Sequence, residues 1–317
     1  MAELLTILGI TFPIFAMVAI GYASVTKGVF RPQDMSILGG WVMNFALPAL
    51  VLGAIASRPI SEVVHFDYIT VYLFSGLLTA GLMFLWFSIA TDPGRRGVVM
   101  MISYCPNTGF IGYPMFLMLV PDHAGIILAM NFLVENIIFV PLALMAIEAG
   151  KPREDRKGNA LQQFGQVLRN LIKRPLIIAI ILGFVISALG LSLPGPVHKL
   201  IDLVAGSASA VALFVIGGSL VGLSFEGNLR LAGQAAVGKL VVMPLCTALV
   251  IFLVARFGVT LDPDLRTAVL LSAALPTMAI AALFAQEVGR GALASLSILV
   301  NTLAAFITLN IVLFLVV

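Results

Sequence analysis

Long apolar runs alternate with short polar interruptions along the whole chain, on the length scale of membrane-crossing helices. Ten stretches carry few or no charges: roughly 4–25, 35–56, 66–90, 97–119, 124–149, 173–192, 199–224, 229–255, 266–287 and 291–316. Each has about the 20 residues a helix needs to cross a hydrocarbon core of about 30 Å. One connection is long and polar, residues 150–172, with Lys151, Arg153, Glu154, Asp155, Arg156, Lys157 and Arg169. It divides the chain into a first five-helix repeat (1–149) and a second (173–317). The pattern therefore predicts an all-α polytopic membrane protein of ten transmembrane helices.

Two of the stretches are interrupted. The fourth contains Ser103-Tyr104-Cys105-Pro106-Asn107-Thr108-Gly109-Phe110-Ile111-Gly112-Tyr113-Pro114, and the ninth contains Leu275-Pro276-Thr277-Met278. Proline lacks an N–H and crowds the preceding turn, and glycine is a weak helix former. Free backbone groups in hydrocarbon cost several kcal/mol each, so a break must line a polar cavity or be buried in protein.

The halves also repeat internally. Pro13, Gly21, Gly28 and Pro32 of the first stretch have the spacing of Pro175, Gly183, Gly190 and Pro194 of the sixth. Five spans is an odd number, so the second half is expected inverted relative to the first. Inverted repeats with paired broken helices mark secondary transporters, with the substrate site at the midplane.

Composition narrows the class. The chain is 61% hydrophobic and 10% charged, against about 25% charged in soluble domains. A β-barrel would alternate over roughly ten-residue segments. The net charge of +3 sits in short loops, so no nucleic-acid partner is expected. Thirteen of the eighteen Lys and Arg fall in loops after odd-numbered spans, and Arg58, Lys199, Arg256 and Arg266 fall on the other side. The positive-inside rule then puts 150–172 in the cytoplasm and both termini outside. Cys105 and Cys246 lie in apolar segments and imply no disulfide framework. The first stretch lacks a basic leader and reads as a retained span.

Each break opens a half-helix N-terminus with unpaired N–H groups, and two facing each other form an anion site. Pro106, Asn107, Thr108 and Gly109 with Pro276 and Thr277 are the candidate substrate residues, against the plainer reading of packing kinks. Glu135 and Lys239 lie mid-span, where charge is expensive and usually functional. Glu135 is the candidate for a coupling proton or cation. Lys239 either attracts an anionic substrate, pairs with Glu135 or snorkels. Asn44 faces either the substrate path or a neighbouring helix; Asn301 and Asn310 are weaker candidates. Gly217-Gly218 and Gly222 suggest close helix packing, and Trp41 and Trp86 interfacial anchors. His65, His123 and His198 show no metal-ligand spacing, and no nucleophile elbow or P-loop is present. No enzyme activity, metal or cofactor is expected.

Pro106-Asn107-Thr108-Gly109-Phe110-Ile111-Gly112-Tyr113-Pro114 resembles the auxin efflux carrier family, as do Asn44-Phe45-Ala46-Leu47-Pro48 and Leu275-Pro276-Thr277. The resemblance covers essentially the whole chain, and the short central loop resembles bacterial members, hence an inner-membrane carrier. It implies a fold similar to bile-acid sodium symporters, with spans 1, 2, 6 and 7 as a scaffold and spans 3–5 and 8–10 as a transport domain holding crossed broken helices 4 and 9. It also implies elevator-type alternating access, a homodimer, and small organic anions such as malonate, malate or auxin-like acids. Family substrate positions carry over to Asn107 and Pro276-Thr277. A sodium-coupled bile-acid-type symporter, or a channel or membrane sensor, are the competing readings.

Overall fold

The computed structural model describes residues 2–151, 172–222 and 228–316, with Gly165 and Arg169. Residues 152–164 of the expected linker lie outside the described residues. Among the described residues the regular structure is helical, with no β-strand. The helices are α1 (Ala2–Thr26), α2 (Asp34–Ala56), α3 (Phe66–Ala90), α4 (Pro93–Tyr104), α5 (Thr108–Leu119) and α6 (Ala124–Ala149). After the central connection come α7 (Pro175–Ala188), α8 (Gly195–Ser219), α9 (Leu229–Ala255), α10 (Pro263–Ala274), α11 (Ala281–Gln286) and α12 (Gly291–Val316). Six of the described helices are long and apolar enough to cross a membrane. Large apolar side chains also lie exposed, as Leu82, Leu85, Trp86 and Ile89 do along one face of α3. That suits a lipid surround and would be a liability in water.

Prolines shape four of these helices in one way. Pro48 in α2, Pro114 in α5, Pro141 in α6 and Pro244 in α9 each follow, by two residues, a π-helical turn. The turns are Val42–Ala46, Thr108–Gly112, Glu135–Phe139 and Gly238–Val242. The cause is local. In α9, Pro244 has no N–H for the Leu240 carbonyl and its ring would crowd it. The preceding N–H, of Met243, bonds one residue further back, to Gly238. Leu47 bonds Val42 and Val140 bonds Glu135 in the same way.

The interrupted spans have matching starts. Asp92 caps α4, accepting from the Arg95 N–H at 3.1 Å, with Pro93 at the first helical position. Asp262 caps α10, accepting from the Asp264 N–H at 2.9 Å, with Pro263 at the first position. Asp accepts from the orphan N–H groups and proline loses nothing there. Both helices run 12 residues before breaking. They start a few residues earlier than the expected 97 and 266, because the Asp-Pro caps extend them into the polar connections.

The Gly28/Gly190 correspondence acquires a physical role. Both are left-handed, φ +75° and +62°. Val29 N–H bonds Ser24 and Leu191 N–H bonds Ile186, at 2.9 and 3.0 Å. The same glycine C-cap thus ends α1 and α7.

The chain forms two compact units. The first comprises residues 1–66, 108–133 and 170–222. Here α1 and α8 pack backbone to backbone: a Cβ on Gly217 would lie 1.8 Å from the Val18 carbonyl oxygen, and one on Gly21 2.1 Å from that of Phe214. Met35 fills the space beside Gly218. Gly222 does not share this packing; it is left-handed in open space, past the end of α8. Trp41 Nε1 donates to Ser207 Oγ at 3.0 Å and its ring stacks on Phe45, so it is a helix–helix link as well as an exposed aromatic.

The second unit comprises residues 67–107, 134–169 and 223–317. Gly97 abuts the backbone at Ile147, which brings α4 against the end of α6. Gly76 meets the Phe139 ring, and Gly238 sits against Met83 and Ser103. These small residues let α3, α4, α6 and α9 approach closely around the break that follows α4.

Candidate substrate site at two paired helix breaks

The breaks at Pro106 and Pro276 lie together in the second unit. Pro106 and Thr277 form one antiparallel backbone pairing. Asn107 N–H donates to the Pro276 carbonyl at 2.8 Å, and Met278 N–H donates to the Cys105 carbonyl at 3.1 Å. Thr277 Oγ1 donates to that same Cys105 carbonyl at 3.2 Å. Cys105 and Leu275 are extended (ψ 108° and 147°), so each break presents a strand-like edge to the other. The pairing settles part of the polar accounting that an interrupted span demands. It also corrects a detail of the expectation: the N–H groups of Asn107 and Met278 are committed to each other's break. Asn107, Thr108 and Thr277 are all buried.

Lys239 belongs to this cluster. It is fully buried, so it does not snorkel. Its ammonium donates to the Ala273 carbonyl at 2.6 Å and to Met243 Sδ at 3.2 Å. Ala273 is in the last turn of α10, whose final carbonyls lose their helical partners at the break. A cation there meets the negative end of the half-helix dipole.

Glu135 opens the π-helical turn of α6 and is buried. Tyr72 on α3 donates its hydroxyl to Glu135 Oε1 at 2.6 Å. One turn away on the same face, the Tyr68 hydroxyl lies 3.1 Å from Ser272 Oγ, four residues before Pro276. The Tyr68 and Tyr72 rings stack, and Phe139 packs on Tyr72 and on Tyr104. Tyr104, the last residue of α4, donates to the Phe139 carbonyl at 2.6 Å. Together, Tyr68, Tyr72 and Tyr104 tie the Glu135 turn to the ends of both interrupted helices.

Thr108, Gly109 and Asn44 belong to the first unit. Thr108 and Gly109 are buried at the start of α5, where a Cβ on Gly109 would stand 3.0 Å from Leu47 Cδ1. Asn44 is exposed and bonds back to the Gly40 carbonyl at 2.8 Å. Asn301 in α12 is buried; its amide donates to Ser297 at 3.1 Å, while its Oδ1 has no hydrogen-bond donor. Asn310 is bonded to its own helix at Phe306. Among the described residues no group of three His, Cys, Asp or Glu could hold a metal ion.

Sequence reasoning missed Tyr68, Tyr72 and Tyr104, since a tyrosine in an apolar run looks like core. A signal was nonetheless present. In each proline-linked turn a polar residue or glycine precedes the proline by four to six positions: Asn44, Thr108 and Gly109, Glu135 and Asn136, Lys239. π-Helical turns are frequent at functional sites.

Paired helix breaks inside a bundle of apolar helices are the anatomy of a membrane carrier. The profile of the family described as Membrane transport protein matches residues 6–313. The chain belongs to this family of auxin efflux carriers and is a multi-pass membrane transporter. It is 27% identical over 319 residues to a Rhizobium meliloti (strain 1021) protein named "Putative malonate transporter", covering 98% of this chain and 96% of the relative. It is 24% identical over 249 residues to the "Uncharacterized transporter YfdV" of Escherichia coli (strain K12), covering 77% of each.

Proposed function

We propose that this chain is a secondary transporter of small organic anions, carboxylates of the malonate or malate class, working by elevator-type alternating access. The observation that carries the reading is the backbone pairing of the two breaks, Asn107 to Pro276 and Met278 to Cys105. In this reading the ten spans form two inverted five-helix repeats, and spans 3–5 and 8–10 carry substrate past a scaffold of spans 1, 2, 6 and 7. The protein works as a homodimer in the bacterial inner membrane, with residues 150–172 cytoplasmic and both termini outside. Depth supports a midplane site. Twelve residues at 1.5 Å rise make α4 and α10 each about 18 Å long, slightly more than half of a 30 Å core. A helix capped at the interface by Asp-Pro therefore breaks near the centre.

The Asn107 side chain beside the paired breaks supplies a donor for a carboxylate. Lys239 supplies the compensating positive charge, held at the end of α10. Thr108, Gly109 and Asn44, which lie in the first unit, are candidates on the sequence reading alone. Tyr72 holds Glu135, the candidate carrier of a coupling proton. The name of the Rhizobium relative supports the substrate class.

Asn107→Ala in proteoliposomes tests this reading: malonate flux is lost while the protein stays folded, and unchanged flux would remove Asn107 from the site. A thermal-shift screen against small carboxylates tests the class directly, since a ligand of the folded state raises its stability. One observation favours a sodium-coupled reading, the buried Asn301 Oδ1 without a donor. A sodium dependence of substrate binding that vanishes in Asn301→Leu would establish it.

A further inference from the structure

A cavity with a few polar side chains in a largely apolar lining lies within the first unit, remote in sequence from the breaks. It encloses about 440 Å³ and is lined by Ser57, Arg58, Ser192 and His198, with Leu191 and Leu193 among its apolar walls. The walls are fixed by local chemistry. Arg58 follows the end of α2, and its carbonyl accepts the Ser187 hydroxyl at 2.6 Å. Its guanidinium donates to the Asp122 carbonyl. The left-handed Gly190 turns the chain after α7, so that Leu191 and Leu193 form one side.

Two features favour an anion in the cavity, the Arg58 guanidinium and the start of α8, while the Asp202 carboxylate is held by His198. A guanidinium has five N–H donors, so the bond to Asp122 leaves others for a ligand. His198 lies in the first turn of α8, whose N-terminal dipole end favours anions. Asp202 Oδ2 sits 2.8 Å from His198 Nδ1, which leaves the second ring nitrogen for a ligand. Arg58 is also one of only four basic residues in the connections on its side of the sequence pattern, with Lys199 next to His198. A planar fork beside hydroxyls matches a tetrahedral or planar oxyanion bidentately. The leucine wall accommodates the apolar part of the same molecule.

We propose that this cavity binds a phosphate-class oxyanion, with Arg58 and His198 as the recognising side chains. Two sources present that chemistry, the phosphodiester of an anionic phospholipid and free inorganic phosphate. The purified full chain in phosphatidylcholine nanodiscs separates them. One arm adds inorganic phosphate to the buffer, and the other replaces part of the lipid with phosphatidylglycerol.

Stabilisation against thermal unfolding in at least one arm is expected, and that arm identifies the source. Arg58→Gln should lose most of that response and require about tenfold more ligand for what remains. Because this variant also loses the bond to Asp122, His198→Ala and Leu191→Trp, at exposed positions, provide folded alternatives. The first removes a donor and the second fills the cavity. No stabilisation of the wild type in either arm overturns the proposal. So does a response that survives undiminished in the folded variants, because a general salt or lipid effect would ignore these side chains.

Discussion

Lys239→Met separates a functional lysine from a structural one. Methionine nearly matches the lysine side chain in length and suits an apolar interior. An ammonium at the centre of a membrane helix costs about 2.5–3.5 kcal/mol on insertion scales, and the variant recovers that. Its loss leaves the buried Ala273 carbonyl without the 2.6 Å donor, which costs about 1–3 kcal/mol. The balance runs from about 2.5 kcal/mol more stable to about 0.5 less. At roughly 2–4 °C per kcal/mol for chains of 150–250 residues, and less for longer ones, the unfolding midpoint rises or stays within a few degrees. On the proposed function, carboxylate flux into proteoliposomes should by contrast fall to background. Two results would refute the reasoning. Full flux in the variant would take Lys239 out of the transport site. A stability loss of about 4 kcal/mol, the size seen when one partner of a buried ion pair is removed, would show that Lys239 neutralises a buried carboxylate instead of capping a helix end.

Further expectations attach to both units. Glu135→Gln should flatten the pH dependence of flux, and a retained dependence would exclude Glu135 as the proton carrier. Tyr72→Phe removes a hydroxyl bonded to a carboxylate at 2.6 Å and should lower stability by about 1.5–3 kcal/mol, read from thermal unfolding. Gly217→Ala places a methyl 1.8 Å from the Val18 carbonyl oxygen. The α1–α8 contact must then open at a cost of at least about 1–3 kcal/mol; an unchanged unfolding midpoint would mean that the two backbones are not in contact.

The breaks were legible because prolines and small polar residues have no business in an uninterrupted span. Their pairing was legible in part, from Pro106-Asn107-Thr108 and Pro276-Thr277. Asp92-Pro93 and Asp262-Pro263 give the stronger signal. They stand 170 residues apart, the separation of Pro106 and Pro276, and each lies 14 positions before its break. What was not legible was how the exposed backbone would be satisfied. The sequence suggests free N–H groups, whereas the extended conformation of Cys105 and Leu275 lets each break serve the other. Which tyrosines serve Glu135 and Ser272 was hidden too, because Tyr68 and Tyr72 differ from core aromatics only by hydroxyls whose partners lie far away in sequence.

The proline-linked turns connect these points. A proline two residues beyond a π-helical turn removes one donor and diverts another. In α9, the Lys239 and Leu240 carbonyls lose their ordinary helical partners, because Met243 bonds Gly238 and Pro244 cannot donate. In hydrocarbon such groups must be met by protein or by something polar. The turns can therefore persist only where polar company is present, and each of the four has it in its own residues: Asn44, Thr108, Glu135 with Asn136, and Lys239. A proline kept merely for a kink needs no charged side chain one turn upstream. A proline that opens backbone toward polar surroundings does, and in α6 and α9 that side chain is ionisable. The same reasoning ranks the four turns. Those at Glu135 and Lys239 join the network around the breaks through Tyr72 and Ala273, whereas Asn44 bonds only back to its own helix at Gly40. Losing the proline should therefore alter transport more at Pro141 and Pro244 than at Pro48.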